Sequence, residues 1–471
     1  MIAITCHPHR LLMTNENPCP GLIMTPTPDF ATVTDRYWLT HIRIPLGCLD
    51  PSISWTLPIP DLAAPPWREE LVAAHLAIEK GMIVDLIPAH HSPPMDAPTW
   101  DLRQGLVWPC FVDSHTHLDK THIWPRQANP DGTFASALAM VRQDYTHWTA
   151  ADLRPRMDFA LRCSYAHGTQ ALRTHLDSLG PQGPTSWAVW NDLRQLWSDR
   201  LTLQAVALVG IEVYGTPEAA DLADLVAHYG GILGGAIHNQ PRMQEWIEAA
   251  FRLAQDRGLN LDFHVDESLD PAEDGLRWVA EAKLKYDFQG QVTCGHACSL
   301  SVQTEEQVQT TLDLVKQADI AVVSLPMCNA YLQDRQTGRM PRYRGVTLLP
   351  ELAQAGIPVA LASDNCRDPF FPYGDHDMLE VFSQGVRLGQ LDAPFGQWPQ
   401  AVTTTPARLL GLPQGGHLGV GQSADLVLFQ ARTLNELLAR PQGDRIVLRQ
   451  GAVIDGTLPD YRDLDGVVSQ R

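Results

Sequence analysis

Between about residues 106 and 410, eight short and nearly continuous apolar runs alternate with stretches of helical spacing. The runs are Val112–His117, Gln170–His175, Leu203–Val209, Ile232–Ile237, Leu261–Val265, Gln291–His296, Ile320–Leu325 and Pro358–Ser363. A strand that is apolar on both faces has to be covered on both faces, as a parallel strand between helices is. The segments between the runs carry helix signals. Met243, Trp246, Ile247, Ala250, Phe251 and Ala254 recur at helical spacing, and Gly258 fits a left-handed stop. Thr304 followed by Gln307 spells a capping box ahead of a periodic stretch to Val315. Eight such βα units predict an α/β chain folded as a TIM-like (β/α)8 barrel.

The flanks read differently. Ala74–Ile78 and Met82–Ile87 are expected as strands around Glu79-Lys80-Gly81, with Gly81 supplying the positive φ of a tight turn. Asp425–Gln430 and Arg445–Gln450 are strand-like too, and Gly451 turns the chain into Val453-Ile454. The simplest arrangement is a small β-sandwich built from both chain ends. The expected division is an N-terminal extension at 1–30, sandwich at 31–105, barrel at 106–410 and sandwich again at 411–471. The first 30 residues are rich in proline and poor in core residues, and one reading places residues 1–23 upstream of a true start at Met24.

In such barrels chemistry sits where strands end and βα loops begin. His115 and His117 are two positions apart at the end of the first run, so both imidazoles point to one face. His175, His264, His296 and Asp364 also end runs. His115, His117, His264 and Asp364 together offer three nitrogens and one oxygen, which suits one divalent ion, zinc or iron(II), with a position left for water. Such an ion brings water close to ionisation at neutral pH. Asp364 can hold the metal and also take the water's proton. Glu267, three residues past His264, can reach over the site as a proton donor if burial raises its pKa. Taken alone, it reads equally as a solvated residue of an acidic loop. His296 would orient the nucleophile and stabilise the tetrahedral centre. His175 reads as core packing or as support behind the metal ligands. The fourth strand region, Gly231–His238, contains no Lys to bridge two metals, which favours one ion.

Composition narrows the partners. The chain of 471 residues is 44% hydrophobic and 19% charged, with a formal net charge of −19. An acidic surface of that size repels a nucleic-acid polymer, whereas a small neutral or cationic substrate is compatible with it. No apolar run is long enough to span a bilayer. The nine cysteines are odd in number and form no CxxC pair, which reads as reduced thiols in a cytoplasmic protein. Cys294 and Cys298 flank His296 without a second cysteine pair, so a structural zinc there is not expected.

The chain resembles the amidohydrolase superfamily, and within it the cytosine-deaminase-like enzymes. The likeness runs from about Ala74 to Ile454. It rests on FVDSHTHLDK at 111–120, ALRTHLD at 171–177, FHVDE at 263–267, His296, LQDRQTGRMPRYRGV at 332–346, Ser363-Asp364-Asn365 and RDPFFPYGDHDM at 367–378. The resemblance implies a metal at His115, His117, His264 and Asp364, with Glu267 and His296 as proton shuttle and orienting base. Self-association is common in the superfamily, so a homo-oligomer is compatible with it.

Three departures bear on the substrate. Leu208 stands where the resemblance leads one to expect a Gln that reads the pyrimidine amide edge. Asn365 replaces an acid, and Phe370 replaces a Trp lining the pocket. An apolar side chain cannot supply the two hydrogen bonds of a Gln, and losing a buried polar reader costs orders of magnitude in discrimination. Glu212 and Tyr214 are candidates to substitute for it. The expected activity is therefore hydrolytic release of ammonia from a small amino-substituted heterocycle other than cytosine, with Glu267, Leu208, Asn365 and Phe370 against the substrate. The alternatives are an amidohydrolase acting on a cyclic amide or an N-alkyl-amino triazine, and a metal-binding protein without catalysis.

Overall fold

The structure is a computed structural model that describes residues 35–53, 69–94, 96–393, 395–412 and 415–468. The N-terminal extension and the Met24 start lie outside the described residues.

The eight expected runs are the eight strands of the barrel. They are β1 (Phe111–Thr116), β2 (Thr169–Asp177), β3 (Thr202–Leu208), β4 (Leu233–Ile237), β5 (Leu261–Val265), β6 (Val292–His296), β7 (Ala321–Ser324) and β8 (Val359–Leu361). All neighbours are parallel, β1 to β3 in one ladder and β4 to β8 in another. Single bridges join the two ladders, Val206 to Ile232 and Gly210 to Ala236 on one side and Thr116 to Asp364 on the other. The last bridge closes the ring. Every residue of β1, β5, β6, β7 and β8 is buried, which is why these runs carry no polar alternation.

The seam between β1 and β8 is held by more than backbone. Buried Asp113 accepts hydrogen bonds from Ser363 N–H at 3.1 Å and Ser363 Oγ at 2.5 Å. The Asp364 N–H donates to the His115 carbonyl at 2.8 Å, and Thr116 Oγ1 donates to the Asp364 carbonyl at 2.9 Å. Two functional strand ends are thereby locked in register.

Two helices form as their signals dictate. Met243–Arg257 ends at Gly258 with φ of 65°, and Glu305–Gln317 begins with the Thr304–Gln307 capping box. Ile247, Ala250, Phe251 and Ala254 of the first and Leu312 and Val315 of the second form their buried faces.

The ends of the chain build two four-stranded sheets. One has the order Met82–Pro88, Leu71–Glu79, Arg36–Pro45, Thr99–Asp101. The other has the order Ala452–Val453, Ile446–Arg449, Leu426–Leu428, Val107–Pro109. Met82 bridges to Ser423, and Tyr37 Oη donates to the Gly451 carbonyl at 2.6 Å, so the N- and C-terminal parts clasp each other. The ten-residue central strand Arg36–Pro45 was not among the expected strands. A register break between Leu39 and Ile42, with His41 at φ of 49°, interrupts its alternation and hides it from a period-two reading.

Candidate metal centre and substrate cavity

Parallel strands deliver side chains to a common mouth at their C-terminal ends. β1 brings His115 and, one residue past its end, His117; β5 brings His264, and the turn after β8 brings Asp364. Their donor atoms converge. His115 Nε2 lies 3.1 Å from His264 Nε2, which lies 3.4 Å from His117 Nε2. Asp364 Oδ1 is 3.1 Å from His117 Nε2 and 3.6 Å from His115 Nε2. Ligand bonds of ~2.0–2.1 Å in a tetrahedral site put donors roughly 3.3 Å apart, which matches this spacing.

The chemistry of the set also fits a cation. No N–H or O–H donor among the described residues pairs with either carboxylate oxygen of Asp364, which is fully buried beside the weakly donating Cys328 thiol. Burial pushes its carboxyl up to about 8; a divalent ion among these atoms acts the other way and favours the carboxylate. Burial and neighbouring rings or cations hold His115, His117 and His264 well below the usual imidazole range, so each is the neutral ring that ligation requires. His117 Nδ1 lies 3.3 Å from Lys120 Nζ, and its Nε2 faces the cluster. His175 itself stacks on His115 with ring centres 3.9 Å apart. It stands behind the cluster, with its Nε2 3.9 Å from Asp262 Oδ1.

Glu267 and His296 form a buried pair beside this centre, with Oε1 and Nδ1 3.5 Å apart. Burial, then the nearby Asp364, raises Glu267 well above the usual carboxyl range. Burial lowers His296 to about 3. The pair is therefore a protonated acid and an uncharged imidazole, not an ion pair. Asn329 bridges them, its Nδ2 3.0 Å from His296 Nδ1 and 3.3 Å from Glu267 Oε1. With Nδ1 accepting from Asn329, the proton of His296 sits on Nε2, which has no protein partner. His296 and Asp364 both have positive φ, 70° and 63°, a costly conformation for a residue with a Cβ.

The centre opens into a cavity of about 410 Å³, a volume suited to a small organic ligand. Glu267, Leu208, Asn365 and Phe370 all line it, as do His117, His264, His296 and Asp364. Asn365 is not free to turn, because its Nδ2 donates to Asp368 at 2.7 Å. Phe370 packs edge-on against Phe134, with ring centres 5.3 Å apart. Glu212 lines the cavity, whereas Tyr214 is buried with its hydroxyl donating to the Gly234 carbonyl at 2.7 Å. Of the two candidates to replace the missing Gln, only Glu212 reaches the site.

Two groups at the site were not singled out from sequence. Asn329 sits on the short helix Pro326–Leu332, where an isolated polar residue leaves no periodic signal. Lys120 lies inside a quoted motif without an assigned role. It is buried at the cavity, 3.0 Å from Asp177 Oδ1 and 3.2 Å from Asp119 Oδ1. Its position three residues past His117 was the available signal.

A model of the amidohydrolase family matches residues 166–455. Pterin deaminase of Rhizobium rhizogenes is 51% identical over 406 residues, 86% of this chain and 92% of that protein. N-isopropylammelide isopropyl amidohydrolase of a Pseudomonas species is 23% identical over 369 residues, 75% of this chain and 87% of that protein. Among solved structures, 5-methylcytosine deaminase of Klebsiella pneumoniae, liganded with 5-fluorocytosine, superposes with a TM-score of 0.73 at 25% identity. That match covers 90% of this chain and 98% of that one.

Proposed function

The chain belongs to the amidohydrolase family, and from that premise we propose that it is a metal-dependent deaminase of a fused, pterin-like aminoheterocycle. The observation that carries the reading is the neutral Glu267–His296 pair placed beside four converging donors at the floor of a cavity. A site built only to hold a structural ion has no use for an added acid and base.

His115, His117, His264 and Asp364 would hold one divalent ion, zinc or iron(II). When bound, the ion supplies an acidified water as nucleophile. Asp364 accepts a proton from that water. The Nε2–H of His296 donates to the oxygen as it adds to the ring carbon that bears the amino group. Glu267 delivers its proton to the adjacent ring nitrogen, so that the carbon becomes tetrahedral without building net charge. The proton held by Asp364 would pass to the amino group; as the carbon–nitrogen bond breaks and ammonia leaves, the remaining hydroxyl proton would return to Glu267, giving a ring carbonyl and restoring the acid. Phe134, Phe370 and Leu208 line the cavity and keep bulk water from the reacting atoms.

The cavity argues for two fused rings over one. Leu208 and Glu212 both line the cavity; Leu208 offers an apolar side chain where a pyrimidine reader would present an amide, and the Glu212 carboxyl oxygens can accept from a further N–H of a larger ring system. A second reading, loss of an alkylamine from a triazine, uses the same residues; 51% identity to a pterin deaminase against 23% to the alkylamine-releasing relative favours ammonia.

The test is product analysis with zinc- or iron-loaded protein offered pterin, cytosine and N-isopropylammelide. Ammonia from pterin, exceeding that from cytosine by at least about tenfold in kcat/KM, is expected from the lost pyrimidine reader. Isopropylamine as the main product, or no amine from any of the three, would remove the reading.

A further inference from the structure

A second cluster of metal-type donors lies behind the cavity wall, apart from the centre described above. His122, Cys366 and His376 each offer one ligand atom, and no two of these atoms are more than 4.8 Å apart. All three residues are buried, at 0%, 2% and 2% exposure. His122 follows β1, whereas Cys366 and His376 follow β8. The two loops are already tied: the His122 N–H donates to the Cys366 carbonyl at 3.2 Å, and Thr121 Oγ1 donates to the same oxygen at 3.0 Å.

Unused hydrogen-bonding capacity points into the cluster. Neither ring nitrogen of His122 has a hydrogen-bond partner, and His376 Nδ1 has none. An uncharged imidazole carries one donor and one acceptor, so His122 leaves both unmet inside the protein. The rings packed against it are Phe159, edge-on with centres 4.9 Å apart, His376 at 5.8 Å and Tyr461 at 6.2 Å. His376 Nε2 faces Thr121 Oγ1 at 3.2 Å, which leaves Nδ1 as its open position. Cys366 carries no disulfide, and burial followed by the nearby Asp375 holds its thiol well above the usual range, so ligation requires the ion to displace its proton.

We propose that His122, Cys366 and His376 bind a second metal ion of the thiolate-and-imidazole class, zinc foremost. Two imidazoles and one thiolate are a zinc-type donor set, and a water fills the fourth position. Binding releases the thiol proton of Cys366 to solvent and involves no redox change. The donors must close by roughly an ångström, because tetrahedral nitrogen and sulfur ligands stand about 3.5 Å apart. The ion braces the loop after β1 to the loop after β8. Those loops carry Lys120, Asn365 and Phe370 to the cavity, so the brace positions the cavity wall and takes no part in chemistry. The inference does not depend on the deaminase reading.

Cobalt(II) reconstitution of the full-length, metal-stripped protein tests it. Elemental analysis should find two cobalt ions per chain. A thiolate-to-cobalt charge-transfer band should appear in the near ultraviolet, since the donors of the first centre include no sulfur. Cys366→Ser should remove the band and one equivalent of metal. Cys110→Ser, which alters a buried thiol that donates to the Leu448 carbonyl in the terminal sheets, should keep both. His122→Gln and His376→Gln should each lower the stoichiometry to one, and they stand in should the serine variant misfold. One cobalt per wild-type chain, or a band that survives Cys366→Ser, would overturn the proposal. A protein that holds one ion and still releases ammonia overturns this inference alone.

Discussion

Glu267 and His296 are neutral together because both are removed from water, with the nearby Asp364 adding to the effect on Glu267. The sign of the expected pH dependence follows from that environment. A carboxyl whose pKa is raised stays protonated through neutrality and ionises only at higher pH. A proton donor of this kind is fully competent below its pKa and is lost as pH rises through it. The alkaline limb of kcat/KM should therefore report Glu267. Replacing it by Gln should lower kcat by ~10²–10⁴-fold while the protein still binds its metal, and should erase that limb. Steady-state kinetics from acid to alkaline pH would show this; wild-type turnover in Glu267→Gln would mean that another group supplies the proton.

At the scale of elements, the strand ends carry the function and the strand interiors set their spacing. β4 runs Leu-Gly-Gly-Ala-Ile, and a Cβ added at Gly234 would stand 2.1 Å from the Asp262 carbonyl oxygen on β5. His264 lies two residues beyond that carbonyl. Gly234→Ala should therefore force β4 and β5 apart, cost about 3 kcal/mol of stability and weaken metal retention. Urea unfolding with parallel metal analysis would check it, and an unchanged midpoint would contradict the close approach.

The same elements explain what could be read from sequence. The barrel strands were legible because burial on both faces leaves a run of apolar residues that a single His or Asp then punctuates. His115, His117, His264, His296 and Asp364 are such punctuation. Arg36–Pro45 was not legible, because its register break shifts the inward face half-way along. Asn329 was invisible for another reason. Its role is set by what two distant strands place beside it, and a lone Asn on a seven-residue helix records none of that. Tyr214 and Glu212 are two residues apart on a single-turn segment, and which of them faces the cavity depends on how that turn packs against β4.

The whole molecule is a closed ring of eight strands clasped by two small sheets, with one seam of the ring made by two isolated bridges and the other by one. One seam, Thr116 to Asp364, is also where the first and last proposed ligand strands meet. Closing the barrel and assembling the centre are thus one event, in which Asp113 and Ser363 fix the distance from His115 to Asp364. The formal net charge of −19 is compatible with uncharged or cationic small molecules. The central claim is that three imidazoles and one carboxylate enclose a single divalent ion. Anomalous diffraction from crystals of the native protein, collected across the zinc and iron absorption edges, tests it most directly. The account predicts a peak within about 2.0–2.2 Å of His115 Nε2, His117 Nε2, His264 Nε2 and an Asp364 carboxylate oxygen. A metal-loaded crystal with no peak among those four atoms would contradict it.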